Sequence, residues 1–450
     1  MQRRCRFRAY HVMILIASAA SALGCEPAER PEYIRDADGR IVIYHGVNVS
    51  NYSKRSADRL PWHTRDDFAR LNDWGFNLVR YQVFWEAVEP QRGRYDDAYL
   101  AAAIERINWL AELGVDVLVD LHQDLYAQRF TGNGFPDWTV NDEGFVFTPR
   151  QPWNLNYAEP AVLASYENFW SSDDLRSRYV AMVERLLGKI DDLPNVVGLD
   201  VMNEPWPSPL VGFEQTTLSP FYAAIQDMYV RRGFKTRLGF EPVIYTSTGV
   251  PSRLRFKPKP GSIYCAHYYD PLCHEGRPYT DATRLTMRLG VETRVAEALD
   301  FGTPLLYDEF GVSPAVEGYR EYLDDLTDVM DDYHLGWAYW SYDRSGDSSF
   351  GLLDENGGPI EGLLAPLVSV YPQRIAGRNP EWRLTAREFE LSYDPIATAA
   401  PTEIFIPAAL KNVTVTINGT PAPFETNRSR FLYQHRDRTE RQTIRIAWEP

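Results

Sequence analysis

Cysteine is scarce, four residues in 450, and no CxxC or HxxxH spacing accompanies Cys265 or Cys273. That absence argues against a zinc finger or ribbon. Basic residues are also in deficit, with Lys and Arg at 47 against 62 Asp and Glu and a net charge of −15. A surface of that sign repels a phosphate backbone, so no nucleic-acid partner is expected. Beyond the first two dozen residues no apolar run approaches the roughly 20 residues that cross a bilayer, and the body of the protein reads as soluble. No Gly-rich phosphate fingerprint follows any strand-like run, which weighs against an open dinucleotide-binding sheet.

What is present begins with Arg3, Arg4, Arg6 and Arg8, an apolar run from His11 to Leu23, and the small-residue end Ala22-Leu23-Gly24-Cys25. Residues 1–24 therefore read as an export signal, followed by a linker over 25–40. Gly24-Cys25 also looks like a bacterial lipobox, so plain secretion and a Cys25-acylated, lipid-anchored form at the cell surface both stay open. Cys5 leaves with the signal and Cys25 is used if acylated. Cys265 and Cys273 then remain as a close pair in an exported chain, and a local disulfide is the economical reading. A zinc site with His267 and His274 is the alternative. The aromatic content, 13% with 12 Trp and 27 Tyr, suits both a large core and the stacking of sugar C–H faces.

From about 41 to 372 short β-rich runs alternate with longer amphipathic stretches. Strands are expected at 41–47, 76–83, 115–121, 196–202, 242–248, 263–269, 304–310 and 336–341. Helices are expected at 64–74, 97–113, 175–190, 218–232, 280–299 and 316–333. Eight such units close into a (β/α)₈ barrel, an α/β fold, with a doubly wound sheet as the alternative. After Tyr371-Pro372 the texture changes to short strands at 389–393, 402–406, 413–418, 431–435 and 442–448, with Asn418-Gly419 as a hairpin signal. Residues 373–450 thus read as a small antiparallel β-sandwich packed on the barrel.

In a barrel, polar residues at the C-terminal strand ends face the active-site mouth. The fourth expected strand runs into Asn203-Glu204-Pro205 and the seventh into Asp308-Glu309-Phe310. Two carboxylates from different strands converging on one cavity are what glycoside hydrolysis needs, one protonated for the leaving oxygen and one ionised for the anomeric carbon. With Arg80 ending the second strand, His122 the third, His267 and Tyr269 the sixth and Trp340 the eighth, the chain resembles glycoside hydrolase family 5. The resemblance implies Glu204 as acid/base and Glu309 as nucleophile of a retaining enzyme. Arg80 and Tyr269 would orient Glu309, Asn203 would reach the sugar 2-hydroxyl, Trp340 would lie under the sugar ring, and His122 and His267 would donate hydrogen bonds. No metal or organic cofactor is implied.

Within the family, the run Asp120-Leu121-His122-Gln123-Asp124 with Phe130, Gly132, Gly134, Pro136, Asp137 and Trp138 is similar to the endoglycoceramidases. So are Gly46-Val47-Asn48 with Ser53-Lys54, and Tyr371 to Gly377. That likeness implies hydrolysis between the glycan and ceramide of glycosphingolipids, with Lys54 and Asp124 holding the sugar nearest the lipid. A ring-rich stretch over about 123–160 fits a lipid groove or membrane-surface association, although each ring has a packing role as its alternative. Other family 5 specificities toward a β-glucoside or β-galactoside, and an inert glycolipid-binding barrel, remain the competing readings. A monomer is expected.

Overall fold

The computed structural model describes residues 29–208, 210–424 and 429–449. The expected export signal and Cys25 lie outside the described residues. Eight parallel strands close a barrel: β1 His45–Val49, β2 Leu78–Val83, β3 Asp116–Leu121, β4 Val196–Asp200, β5 Arg237–Phe240, β6 Ile263–Tyr268, β7 Leu305–Phe310 and β8 Gly336–Tyr339. Each pairs with its sequence neighbours, and Val47 of β1 closes the ring on Tyr339 of β8. Alternation along a strand divides its side chains. On β2, Val79, Tyr81 and Val83 pack outward with the helices, while Leu78 joins Leu118, Ile263 and Leu306 in an apolar layer at the barrel floor.

The expected helices form as α1 Arg65–Asp73, α2 Asp97–Glu112, α3 Asp173–Ile190, α4 Ser219–Arg232, α5 Asp281–Phe301 and α6 Tyr319–Asp332. Their ends follow local chemistry. Thr64 and Thr280 close capping boxes, Asp96 accepts from Ala98 and Tyr99 N–H groups, and Gly233 and Gly302 terminate α4 and α5 at positive φ.

Two barrel strands differ from expectation. Ile41–Val42 is not part of β1; it pairs antiparallel with Arg374 and Ile375. The fifth strand is Arg237–Phe240, and residues 244–248 form a 3₁₀ turn instead. Val243-Ile244-Tyr245 has β-branched and aromatic character, but Pro242 has no N–H for a central ladder. The true strand is inconspicuous because Gly239 lies where a Cβ would meet Cys265 Sγ at 2.8 Å and Asp200 Cα at 3.0 Å.

The C-terminal region is a β-sandwich of two antiparallel sheets. One orders Ile41–Val42, β9 Tyr371–Ile375, β12 Thr402–Phe405 and β15 Arg430–Tyr433; the other orders β10 Gly377–Leu384, β11 Glu388–Pro395, β16 Gln442–Glu449, β13 Lys411–Ile417 and β14 Thr420–Ala422. Asn418 and Gly419, at φ 50° and 77°, make the tight turn between Ile417 and Thr420. The expected boundary at 372/373 falls inside β9, because Tyr371 and Pro372 already pair with Phe405 and Ile404.

This sandwich docks on the closed end of the barrel. The Tyr371 hydroxyl and Gln373 Nε2 donate to the Gly75 carbonyl at 2.6 and 2.9 Å, Arg374 pairs with Asp116 at 3.1 Å, and His45 stacks between Tyr371 and Trp337. The described part of the expected linker packs on the fold: Ile34 is buried, Arg30 pairs with Glu381, and Tyr33 hydrogen-bonds His334, whose ring stacks on Trp382.

The expected Cys265–Cys273 disulfide is not formed; both thiols are free and buried. Cys265 lies inside the barrel among the floor residues, whereas Cys273 sits on the short helix Pro271–His274 beyond the far end of β6 and packs in the outer core. Burial pushes the Cys265 thiol well up, and the Cys273 thiol up to about 12. Alkylation in denaturant without reductant should therefore tag both cysteines, and alkylation of the native protein neither. A peptide linking the two would overturn the assignment. A Gly75→Ala variant tests the docking, since Gly75 has φ +79° and its Cβ would lie 2.4 Å from the Phe405 ring. Thermal unfolding should show a loss of about 2–4 kcal/mol from positive-φ strain and overpacking; an unchanged melting temperature would refute the contact.

Candidate active site

The polar residues singled out from the sequence converge at the C-terminal mouth of the barrel. Arg80 projects from the middle of β2. His122 and Asp124 follow β3, Asn203 and Glu204 follow β4, His267 lies on β6 with Tyr269 just beyond it, Glu309 lies on β7, and Trp340 follows β8. Lys54 enters from the 3₁₀ turn Asn51–Lys54 after β1. A bulge on β7 brings Glu309 inward. Leu306 to Glu309 is three steps against two from Cys265 to His267 on β6, and Tyr307 to Phe310 is three against two from Trp337 to Tyr339 on β8. The extra residue lets consecutive Asp308 and Glu309 both face the interior, where strict alternation would expel one.

A single guanidinium organises the centre. Arg80, with a fully buried side chain, lies 2.8 Å from Asp200, 2.9 Å from Glu309, 3.0 Å from Glu241, 3.0 Å from Asp308 and 3.1 Å from Asp120. It also donates to Asn203 Oδ1 at 2.9 Å and Asn48 Oδ1 at 3.2 Å. One guanidinium cannot match so many carboxylates away from water, so burial shifts some of them toward their protonated forms. Burial pushes Asp308 up to about 7; burial and the Asp200 charge also push Glu241 up, while the adjacent His267 and Arg80 charges favour its carboxylate form. Burial acts the same way on Asp120, but Arg80 and His122 outweigh it and hold that carboxyl low.

Glu204 and Glu309 differ in what surrounds them. One Glu309 oxygen accepts from Arg80 at 2.9 Å and the other from the Tyr269 hydroxyl at 2.8 Å. Glu204 has His267 Nδ1 at 2.9 Å, and burial raises its pKa although His267 works against that rise. His267 itself is held well above the ordinary imidazole range: burial opposes this, but the negative charges of Glu241 and Glu309 prevail. A ligand-type atom from each of Glu204, His267 and Glu309 lies within 4.8 Å of the other two. Close approach of the two carboxylates fits the spacing of retaining enzymes, roughly 5–5.5 Å, rather than the wider gap that admits a water in inverting ones. Arg80 supplies the positive charge that Asp200, Glu241, Asp308 and Glu309 surround.

Beside this pair lies a second cluster. Lys54 Nζ donates to Asp124 at 2.7 Å and sits 4.0 Å over the Trp340 ring, and His122 Nδ1 faces Asp120 at 2.7 Å with Nε2 at 3.3 Å from Asp124. Burial opposes ionisation of Asp124, yet Lys54 holds it far below the usual carboxylate range. One face of Trp340 is thus covered by the Lys54 ammonium, and His122 stacks nearby at 5.6 Å.

Sequence reasoning missed Glu241, because the fifth strand was placed after it. The available signal was Glu241-Pro242, the same pair as Glu204-Pro205 at another strand end. Gln123 was also missed as a brace: its amide donates to the Asn203 and Glu204 carbonyls at 3.0 and 2.9 Å, and Tyr166 holds its oxygen at 2.6 Å. In the ring-rich loop, Tyr126, Phe130 and Phe135 are buried packing, whereas Phe145, Val146, Trp153 and Leu155 are exposed.

Comparison with known proteins places this geometry. Residues 36–346 match the model described as cellulase (glycosyl hydrolase family 5), and residues 370–447 match the glycoside hydrolase family 5 C-terminal domain. Endoglycoceramidase I of Rhodococcus hoagii (strain 103S) is 28% identical over 412 residues, covering 83% of this chain and 78% of that protein. Endo-glycoceramidase II from Rhodococcus sp., solved as a ganglioside GM3 complex, superposes with a TM-score of 0.84 at 27% identity, covering 93% of this chain and 100% of that one. The lactosyl-enzyme intermediate of the same protein gives a TM-score of 0.83 at 28% identity, with the same coverage. Because the first model alone spans most of the barrel and more than half of the chain, this chain belongs to glycosyl hydrolase family 5 and is a glycoside hydrolase.

Proposed function

We propose that the chain is a retaining endo-β-glycosidase that cleaves the bond between the glycan and ceramide of glycosphingolipids. The observation that carries the mechanism is the asymmetry of the carboxylates: Glu309 is held by Arg80 and Tyr269, while Glu204 faces His267 and is pushed toward its protonated form. Glu309 attacks the anomeric carbon as Glu204 gives its proton to the glycosidic oxygen, and ceramide leaves as an alcohol. Water then attacks the glycosyl–Glu309 ester and returns a proton to Glu204, so the configuration is retained. Asn203 keeps one amide hydrogen for the sugar 2-hydroxyl, since its oxygen is taken by Arg80 and its nitrogen donates once, to the Gln123 carbonyl at 3.1 Å. Lys54, Asp124, His122 and Trp340 hold the first sugar.

Substrate class is supported by the likeness to endoglycoceramidases and by apolar residues on two βα loops that rim the mouth. Phe145, Val146, Trp153 and Leu155 lie on the loop after β3, and Leu210 and Val211 on the loop after β4, where Val211 is 87% exposed. These would meet the ceramide chains and the lipid surface around them. An exported enzyme, secreted or lipid-anchored and acting as a monomer, is the setting in which such a substrate is encountered.

Glu309→Gly and Glu204→Ala should both be nearly inactive on natural substrate, the latter by about 10²–10⁴-fold. Azide or formate should restore turnover of activated glycosides with inversion for Glu309→Gly and with retention for Glu204→Ala. The same anomeric outcome in both variants would refute the assignment of roles.

Substrate class is checked by comparing kcat/KM for a glycosphingolipid series of decreasing chain length with that for the same glycan on a p-nitrophenyl group. Each methylene that reaches the apolar rim should contribute roughly 0.8 kcal/mol, and products should be intact ceramide and intact glycan. Equal values throughout, or release of single non-reducing-end sugars, would replace this reading with a general family 5 β-glycosidase.

A further inference from the structure

Outside the residues already given a role, the most connected group at the mouth is Glu241. Its Oε1 faces His267 Nε2 at 3.1 Å, and its Oε2 accepts the Glu204 backbone N–H at 2.8 Å. His267 Nδ1 in turn meets Glu204 Oε1 at 2.9 Å. The contacts form a closed ring: Glu204 side chain, His267, Glu241, and back to the Glu204 main chain. Glu204 sits at φ 42°, a conformation rare for a side-chain-bearing residue, and the Glu241 carboxylate is what receives its N–H there. Tyr222 fixes the same strand end by donating to the Glu241 carbonyl at 2.8 Å.

We propose that Glu241 is a positioning residue of the glycosidase reaction, which holds His267 doubly protonated against Glu204 and fixes the Glu204 backbone by a second hydrogen bond from the same carboxylate. The proposal rests on the reading of Glu204 as acid/base. Its logic is a matter of donors and acceptors. His267 can donate from both nitrogens only if both neighbours accept, and Glu241 accepts from His267 and from Glu204 N–H as a carboxylate, the form that the adjacent His267 and Arg80 charges favour against burial and Asp200. As Glu204 gives up its proton to a poor leaving group, the imidazolium stabilises the anion being formed. No proton leaves the His267–Glu241 pair in that step; the pair supplies charge and alignment.

The groups facing this ring come from every neighbouring strand. Arg80 from β2 approaches Glu241 at 3.0 Å, Asp308 and Glu309 from β7 lie 3.7 and 3.9 Å from His267, and Asp200 from β4 and Asp120 from β3 add negative charge around the same pair. Cys265 on β6 and Tyr179 on α3 lie close enough to feel Glu241. Acid surplus on all sides favours a protonated imidazole, which agrees with the direction in which the His267 pKa is moved.

The test is Glu241→Gln. Its single amide oxygen can serve the Glu204 N–H or His267 but not both, and its NH₂ facing Nε2 would leave His267 neutral. Removing the imidazolium charge raises the Glu204 pKa, so the basic limb of the kcat/KM profile should move to higher pH. Turnover of a natural glycolipid should fall about ten- to a hundredfold with KM little changed, while a dinitrophenyl glycoside, which needs little acid assistance, should be nearly unaffected. Equal losses on both substrates with an unmoved pH profile would reduce Glu241 to a structural role and overturn the proposal.

In a Glu204→Ala background, Glu241→Gln should add no further loss; an additive loss would also overturn it. If Glu204→Ala instead keeps the wild-type basic limb, the acid/base reading itself fails, an outcome distinct from the others. Should Glu241→Gln not fold, ¹⁵N NMR of the unaltered protein decides. Both His267 nitrogens protonated at neutral pH supports the proposal, and a neutral tautomer refutes it.

Discussion

The mouth of this barrel is arranged around one buried cation. Arg80 is shut away from water and its neighbours are carboxylates from β3, β4, β5 and β7. A buried guanidinium with no partner would be prohibitive, and so would these acids without it. Each therefore depends on the others, and burial in this acid-rich setting shifts Asp308 and Glu241 upward. Within the same cavity Glu309 is held by Arg80 and Tyr269, while burial pushes Glu204 toward its protonated form. The β7 bulge belongs to the same constraint, because it delivers both Asp308 and Glu309 to Arg80 from adjacent positions.

Much of this was legible in the sequence because barrel strands end in the residues that face the mouth. His122, Glu204, Glu309 and Trp340 each lie at or just past the end of an apolar run, Arg80 lies in the middle of the strand it is expected to end, and the helix ends announce themselves through Thr64, Asp96, Thr280, Gly233 and Gly302. What escaped was set by tertiary geometry. Arg237–Phe240 is short and glycine-bearing, and the stronger β signal just after it is cut off from the ladder by Pro242. The bulge is invisible without the neighbouring strands. Cys265 and Cys273 are close in sequence, yet they lie inside and outside the barrel wall. Most rings of the β3 loop turned out to pack the loop, and only its outer residues present apolar surface.

The two ends of the barrel have separate duties. The mouth carries the strained and charged residues, among them Glu204 at positive φ, whereas the base is apolar, filled by Leu78, Leu118, Ile263 and Leu306 and sealed by the sandwich. The sandwich is tied to that base, away from the chemistry at the mouth, through Tyr371, Gln373 and Arg374.

The short strand Ile41–Val42 has a consequence for how the chain comes to be folded. It precedes the whole barrel, yet its sheet partners Arg374 and Ile375 come from the far end of the chain. Ile41 and Ile43 contribute to the sandwich core while Val42 and Tyr44 plug the barrel floor, so four consecutive residues alternate between two hydrophobic interiors. The sandwich core is complete only when the last strands, with Ile444 and Ile446, have been synthesised, and contacts of such long sequence separation form slowly. A chain cut at the module boundary would therefore expose Ile41 and Ile43, which the sandwich buries, to water.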